Sequence, residues 1–130
     1  AGTGRFFEVI AKRFDIALED IGPLAQHSTQ NVRISNICAV FAESEVISLL
    51  SQGVLIEDIL RAVGKAVAKR VIGLADRVGI NDAVMFCGGV AKNISMISIL
   101  EELLSRSVIL PEHIEFVGAI GAALQGLEQY

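Results

Sequence analysis

Apolar residues recur at three- and four-residue intervals in six segments of the chain, and this spacing predicts six helices. The predicted helices cover residues 3–14, 18–26, 40–51, 56–78, 91–104 and 118–129. The fourth has the most regular stripe, which is formed by Ile59, Val63, Val67, Val71, Leu74 and Val78. Glu57 and Asp58 at its start and Arg77 at its end agree with the charges that a helix dipole favours. Residues 27–36 are polar and predict a turn region.

The period changes in the second half of the chain, where residues 83–87 and 108–110 form short, continuous apolar runs. Each run predicts a strand, and the first is expected to be buried. The order of helices followed by strand–helix–strand–helix predicts parallel strands with helices on the sheet faces. The expected class is therefore α/β, rich in helices and with few strands. Since two strands do not form a stable sheet alone, we expect further strands upstream of Ala1 or elsewhere in the chain.

Composition narrows the class of protein. The chain has 130 residues and a mass of 13.9 kDa, which fits one domain or part of one. Hydrophobic residues make up 52% and the mean hydropathy is +0.56, so disorder is excluded. A net charge of −4 argues against the basic footprint of a nucleic-acid-binding protein. The longest apolar run, residues 116–124, is far shorter than the roughly 20 residues that a membrane span needs.

The cysteine content predicts where in the cell the protein resides, and the start of the chain indicates whether the chain is a fragment. Two cysteines are too few for a disulfide scaffold and no signal peptide is visible, so we expect the reducing environment of the cytoplasm. The chain begins with Ala1, inside a glycine-rich turn, rather than with Met. We therefore expect a fragment of a longer protein. The high mean hydropathy agrees, because a truncated domain exposes surface that missing elements would cover.

Two glycine arrangements leave room for a ligand beside the backbone. Gly2-Thr3-Gly4 opens the first helix, whose free N–H groups favour an anion. Gly88-Gly89 follows the first strand, which is where ligands bind in open α/β sheets. Either arrangement also occurs in an ordinary turn, so both interpretations stay open at each position. The chain contains neither a Walker A loop nor a dinucleotide-binding fingerprint.

The two cysteines differ in their predicted surroundings. Cys38 lies just before the third helix, where free N–H groups stabilise a thiolate and suit it to metal ligation or redox chemistry. The alternative for Cys38 is a small buried hydrophobic residue. Cys87, at the end of the first strand, is expected to pack in the core. The two lie too far apart for a CxxC-type chelate, so one chain does not offer a complete metal site.

Three stretches, taken in order, are similar to one family: residues 1–6 (AGTGRF), 38–45 (CAVFAESE) and 88–93 (GGVAKN). They resemble the ATP-dependent activator components of 2-hydroxyacyl-CoA dehydratases and the related ATPase subunits of benzoyl-CoA reductase. The similarity extends to residues 118–123 (GAIGAA). It implies the ribonuclease H-like fold of the acetate and sugar kinase, heat-shock-70 and actin superfamily. Residues 1–130 would then be the C-terminal part of an actin-like ATPase domain, with the N-terminal domain and first strands missing.

The resemblance also implies a function. Members of this family bind ATP or ADP with Mg in a cleft between two domains, and a homodimer shares one 4Fe–4S cluster held by two cysteines from each subunit. Cys38 matches the second cysteine. In the family the first normally precedes the AGTGRF segment, about two residues before the position of Ala1, so it is not in this chain. ATP hydrolysis drives an electron from a donor such as ferredoxin or flavodoxin, through the cluster, into a dehydratase. Partners of this kind include 2-hydroxyglutaryl-CoA dehydratase and related reductases of anaerobic metabolism.

For the nucleotide, the resemblance implies that Gly88 and Gly89 form the adenosine-binding turn and that Lys92 and Glu115 lie close to it. The family often has Thr at the position of Cys87 and Gln at the position of Glu115. Its phosphate-binding loops lie upstream of this chain. The isolated chain is therefore expected to have little or no ATPase activity.

Two other classes of protein remain open. One is a small-molecule kinase of the same superfamily that has no cluster, in which Cys38 is simply buried. The other is a stand-alone helical interaction domain that dimerises through residues 56–78 and has no ATP site.

Overall fold

Helices make up most of the chain, of which the computed structural model describes residues 3–34, 39–81 and 83–128. The α-helices in these ranges are α1 (Thr3–Phe14), α2 (Ile21–Gln26), α3 (Ala39–Ser51), α4 (Ile56–Ala75), α5 (Ile94–Leu104) and α6 (Val117–Glu128). Two 3-10 helices, Leu18–Asp20 and Gly89–Lys92, precede α2 and α5. The helix-rich architecture confirms what the apolar periodicity predicts.

Local hydrogen bonds explain where two helices differ from the predicted ranges. α4 ends at Ala75 because the chain turns there, and the N–H groups of Val78 and Gly79 both donate to the Ala75 carbonyl. The helix predicted over residues 91–104 begins later, at Ile94. The residues before it form the second 3-10 helix instead, and a side-chain cap sets the new start.

The two predicted strands meet in one parallel β-bridge between Met85 and Ile109. The Phe86 N–H donates to the Ile109 carbonyl at 2.9 Å, and the Ile109 N–H donates to the Val84 carbonyl at 2.8 Å. The parallel direction is as predicted, but the pairing is shorter. The prediction that the first strand is buried is wrong, since Met85 is 55% exposed. A parallel pair becomes buried only when neighbouring strands and helices cover it.

The core lies where α4 packs against both α2 and α5, which also contact each other. The apolar side chains of Ile59 and Val63 on α4 are inaccessible to solvent, as is Ile99 on α5. Ile21 on α2 and Ile10 on α1 join the same cluster. The first half of the predicted stripe on the long helix therefore faces the core.

Apolar surface remains exposed on α6 and at the end of α4. α6 contains no buried residue. Phe116, Ile120, Leu124 and Leu127 are between 44% and 77% exposed, at spacings that form one helical stripe. Leu74 on α4 is also half-exposed. Such stripes are the surfaces that helices pack against other elements. Among the described residues, no helix is both long and apolar enough to cross a membrane.

Candidate functional site

A cleft of about 570 Å³ opens between the start of α1 and the turn that precedes α5. Its walls are formed by Gly4, Phe7, Glu8, Leu18, Glu19, Gly89, Val90, Lys92, Asn93 and Glu115. Gly4, Phe7 and Glu8 lie three and four residues apart on α1, so they share one face of that helix. The volume and the mixture of apolar and charged side chains are typical of a site for a small molecule.

The turn at Gly88 and Gly89 gives the cleft an open stretch of backbone. Gly88 has a φ of +92°, a left-handed conformation that glycine adopts without strain. Its N–H donates to the Ile114 carbonyl at 2.6 Å and its carbonyl accepts the Ala91 N–H at 2.9 Å, so the turn is fixed by hydrogen bonds. A Cβ at Gly89 would meet no heavy atom within 4 Å. Packing does not require glycine at position 89, and the space beside its backbone is free for a ligand.

Asn93 fixes the other end of this turn. Its Oδ1 accepts the N–H of Ser95 at 3.0 Å and the N–H of Met96 at 3.2 Å, which caps α5. The same oxygen marks the close approach of α2, since a Cβ at Gly22 would lie 2.9 Å from it. Glycine at position 22 permits this approach. As a result, the 3-10 helix Leu18–Asp20 is brought against the cleft.

Charged side chains give the cleft an excess of negative charge. Lys92 Nζ lies 2.6 Å from Glu115 Oε2, and Arg5 Nη1 lies 2.6 Å from Glu8 Oε2. In the part of the chain that the structure describes, Glu19 has no hydrogen-bond or ion-pair partner. A free carboxylate disfavours a phosphate group beside it and accepts hydrogen bonds from hydroxyl or amino groups.

The sequence matches the model of one known protein family over most of its length. The model of the BadF/BadG/BcrA/BcrD ATPase family matches residues 1–126. The chain belongs to this ATPase family. The match confirms the resemblance inferred from residues 1–6, 38–45 and 88–93.

Members of this ATPase family with assigned activities resemble the chain closely. It is 40% identical over 129 residues to the 2-hydroxyisocaproyl-CoA dehydratase activator of Clostridioides difficile, covering 99% of this chain and 48% of the relative. It is 47% identical over 124 residues to the (R)-2-hydroxyglutaryl-CoA dehydratase activating ATPase of Acidaminococcus fermentans, covering 95% of this chain and 48% of the relative.

A solved structure of the Clostridium difficile activator with bound ADPNP matches with a TM-score of 0.88 at 40% identity. The match covers 99% of this chain and 48% of the activator. The chain thus spans about half the length of the curated relatives it matches.

The structure brings together the residues predicted to form a nucleotide site in this ATPase-family chain. Gly89, Lys92 and Glu115 line the same cleft, and Gly88 begins the turn that borders it. Their contact with a nucleotide stays a prediction. What the structure adds is that Gly89 and Glu115, 26 positions apart in the sequence, face the same space.

The structure tests the prediction for one of the two cysteines, Cys87, but not for the other. Cys38, the predicted cluster ligand, lies outside the described residues, as does Gly2. Cys87 is exposed, so the prediction that it packs in the core is wrong. The single bridge at Met85 leaves the end of this segment uncovered. Within the described ranges, no group of three or more His, Cys, Asp or Glu side chains is placed to hold a metal ion.

Sequence reasoning misses four of the residues that line the cleft: Phe7, Glu8, Leu18 and Glu19. The helical spacing from Gly4 to Phe7 and Glu8 is a signal that could have linked those two to the site. Leu18 and Glu19 carry no such signal, because only the packing of α2 against α5 brings them to the cleft.

A buried aspartate on α4 fixes the turn that follows α2. Asp58 is 1% exposed, and its Oδ1 accepts the Ser28 hydroxyl at 2.9 Å and the N–H groups of Thr29 and Gln30 at 2.8 Å each. The Gln30 N–H lowers the pKa of the Asp58 carboxyl most. Burial raises this pKa, Ser28 and Thr29 lower it further, and the net result lies below the ordinary 3.8. The helix-dipole interpretation of the sequence does not capture this role.

The lowered pKa of Asp58 predicts a loss of stability in acid. Because the pKa is lower in the folded than in the unfolded chain, the contribution is complete above about 3.8 and is lost as the pH falls through the lowered folded value. We expect the free energy of unfolding, measured by urea titration from about pH 6 to about pH 2, to fall less steeply in Asp58→Asn than in the unsubstituted chain.

Glu102→Gln is the matched comparison, since it also replaces a carboxylate by an amide. Lys65 lowers the pKa of Glu102 chiefly by a hydrogen bond, and Arg61 adds to the effect. Glu102 is exposed and its ion pairs are screened by solvent, so its substitution should change the acid slope less. An acid slope in Asp58→Asn equal to that of the unsubstituted chain would contradict the assignment.

Proposed function

We propose that the full-length protein is an ATP-hydrolysing activator that transfers electrons to a 2-hydroxyacyl-CoA dehydratase, and that this chain forms the nucleoside side of its ATP site. One observation carries the proposal. The chain has an open cleft beside Gly88 and Gly89, and it is 40% identical to a dehydratase activator solved with bound ADPNP.

The charges of the cleft support contact with adenosine rather than with the phosphates. The open backbone at Gly89 suits a flat base, and the Glu19 carboxylate suits donors such as ribose hydroxyl groups. Lys92 is already neutralised by Glu115. Glu115, at a position where the family often has Gln, is the partner in this ion pair. We place the phosphates and Mg toward a second domain, outside this chain.

The exposed surfaces support the view that the chain is the C-terminal part of an actin-like α/β domain. The apolar stripe of α6 and the half-exposed pair Met85 and Ile109 are surfaces that further helices and strands would cover. The chain also matches about half of each activator. We infer that the remaining strands and the N-terminal domain belong to the other half.

A 4Fe–4S cluster shared by two copies of the protein fits the chemistry of a thiolate ligand at Cys38. In this proposal each subunit contributes Cys38 and one cysteine from outside this chain. The cluster supplies one-electron chemistry when bound, with ferredoxin or flavodoxin as donor and the dehydratase or a related reductase as acceptor.

Nucleotide binding contributes to electron transfer in this proposal only by favouring one conformation. A ligand shifts an equilibrium by its difference in affinity for the two states. The part assigned to this chain is to bind the nucleoside at Gly88 and Gly89 and to hold the segment that leads to Cys38.

Gly89→Ala tests the nucleotide site. We expect it to weaken ADPNP binding to the full-length protein at least about tenfold, or about 1.4 kcal/mol, because the added methyl group occupies the space a ligand approaches. The measurement is isothermal titration calorimetry in the presence of Mg.

Gly73→Ala is the matched control, since a Cβ at Gly73 also meets no heavy atom within 4 Å and Gly73 lies on α4, away from the cleft lining. It should leave the affinity for ADPNP unchanged. Equal affinities for the two variants would show that the nucleotide binds elsewhere.

Cys38→Ser tests the cluster. We expect the full-length protein, purified without oxygen, to hold about four iron atoms per dimer and to lose most of them in Cys38→Ser, because serine is a poor iron ligand. Iron content and visible absorption are the measurements.

Cys87→Ser is the control for this experiment, because Cys87 is the chain's other cysteine and is exposed. Its iron content should match that of the unsubstituted protein. Absence of iron from the unsubstituted protein would overturn the cluster and favour the small-molecule kinase instead.

A further inference from the structure

The segment from Leu18 to Gln30 connects the cleft with the buried aspartate on α4. Leu18 and Glu19 line the cleft, and α2 begins directly after their 3-10 helix. α2 ends at Gln26, and the turn held by Asp58 follows within four residues. A short, continuous piece of chain therefore has one end at the cleft wall and the other end on the core.

The cleft end of this segment is in tight contact with α5. A Cβ at Gly22 would lie 2.9 Å from Asn93 Oδ1 and 3.2 Å from the Ile94 backbone nitrogen. Ile21 and Ala25 of the same helix are each 1% exposed. α2 is therefore in close contact with α5 at Gly22, and we expect a change in the 88–93 turn to be felt by α2.

The far end of the segment is fixed by one oxygen atom. Asp58 Oδ1 accepts three hydrogen bonds, from Ser28, Thr29 and Gln30. Asp58 Oδ2 is buried and has no hydrogen-bond partner among the described residues. The buried charge thus depends on the 28–30 turn, and leaving it without donors would carry a large desolvation cost. The three hydrogen bonds therefore hold the 28–30 turn in the arrangement that the structure shows.

We propose that the 3-10 helix and α2 transmit nucleotide occupancy of the cleft to the 28–30 turn, with Asp58 as the positioning residue at the far end. The inference rests on the proposed nucleotide site. In the sequence, Cys38 follows Gln30 by eight residues, so the turn that responds to nucleotide begins the segment that leads to this cysteine.

Residue-resolved hydrogen exchange of the full-length protein, with and without ADPNP and Mg, tests the inference. We expect ADPNP to slow exchange in the 88–93 turn and to change exchange of the Thr29 and Gln30 amides about fivefold or more. The quantity to compare is the change in the exchange rates of these amides when ADPNP is added. A purely structural role of Asp58 would set the basal exchange rates but not this difference.

Substitutions at both ends of the segment from Leu18 to Gln30 distinguish transmission of nucleotide binding from a purely structural role of these residues. Gly22→Ala adds the Cβ that meets Asn93, and Asp58→Asn removes the buried charge that the turn surrounds. We expect each substitution to remove most of the change that ADPNP causes in the exchange rates of the Thr29 and Gln30 amides. Ser28→Ala, which removes one donor and leaves the carboxylate in place, provides the same test if Asp58→Asn does not fold.

Glu102→Gln is the matched control. It makes the same change of carboxylate to amide on α5, where Glu102 pairs with Arg61 and Lys65 and lines neither the cleft nor the turn. The nucleotide-dependent change at the 28–30 turn should survive it.

The outcomes distinguish this inference from the function it rests on. Slower exchange in the 88–93 turn without any change at Thr29 and Gln30 would overturn the inference and leave the nucleotide site intact. Loss of the response in Glu102→Gln as well would also overturn it. If ADPNP changes exchange at neither place, the proposed nucleotide site fails and the inference fails with it.

Discussion

The close approach of α2 to the first turn of α5 is the contact on which the rest of the site depends. Asn93 Oδ1 caps α5, and the absence of a side chain at Gly22 lets α2 come within van der Waals distance of that cap. This contact brings the 3-10 helix before α2 to the cleft and sets the path of the chain to Asp58. A larger residue at position 22 would alter both the cleft wall and the turn held by Asp58.

The cleft has features that suit one part of a nucleotide, the nucleoside, in the proposed ATP site. Its backbone is open at Gly89, its lysine is paired with Glu115, and Glu19 adds a carboxylate that has no partner among the described residues. These features suit a base and a ribose and disfavour phosphates. The half-length match to the activators and the exposed apolar stripe of α6 are consistent with a second half that supplies the phosphate site. The electron-transfer function follows as a proposal from the family and from Cys38.

The helices could be predicted from the sequence because each has its own apolar period, and α1 begins and ends where that period does. Features that depend on tertiary packing could not be predicted from the sequence. The predicted strands shrink to the Met85 bridge, since no further strand in the described residues covers them. Glu19 reaches the cleft only through tertiary packing. Asp58 has the same sequence context as an ordinary acidic residue at a helix start, and only the fold shows it buried beneath the 28–30 turn.

The exposed thiol of Cys87, directly before Gly88, offers the most direct test of where the nucleoside binds. The measurement is the rate of Cys87 alkylation by iodoacetamide in the full-length protein, followed by mass spectrometry of the peptide that contains it. If adenosine binds at the glycine turn, saturating ADPNP and adenosine should both slow the reaction. An alkylation rate that stays unchanged while calorimetry shows ADPNP bound would contradict the account.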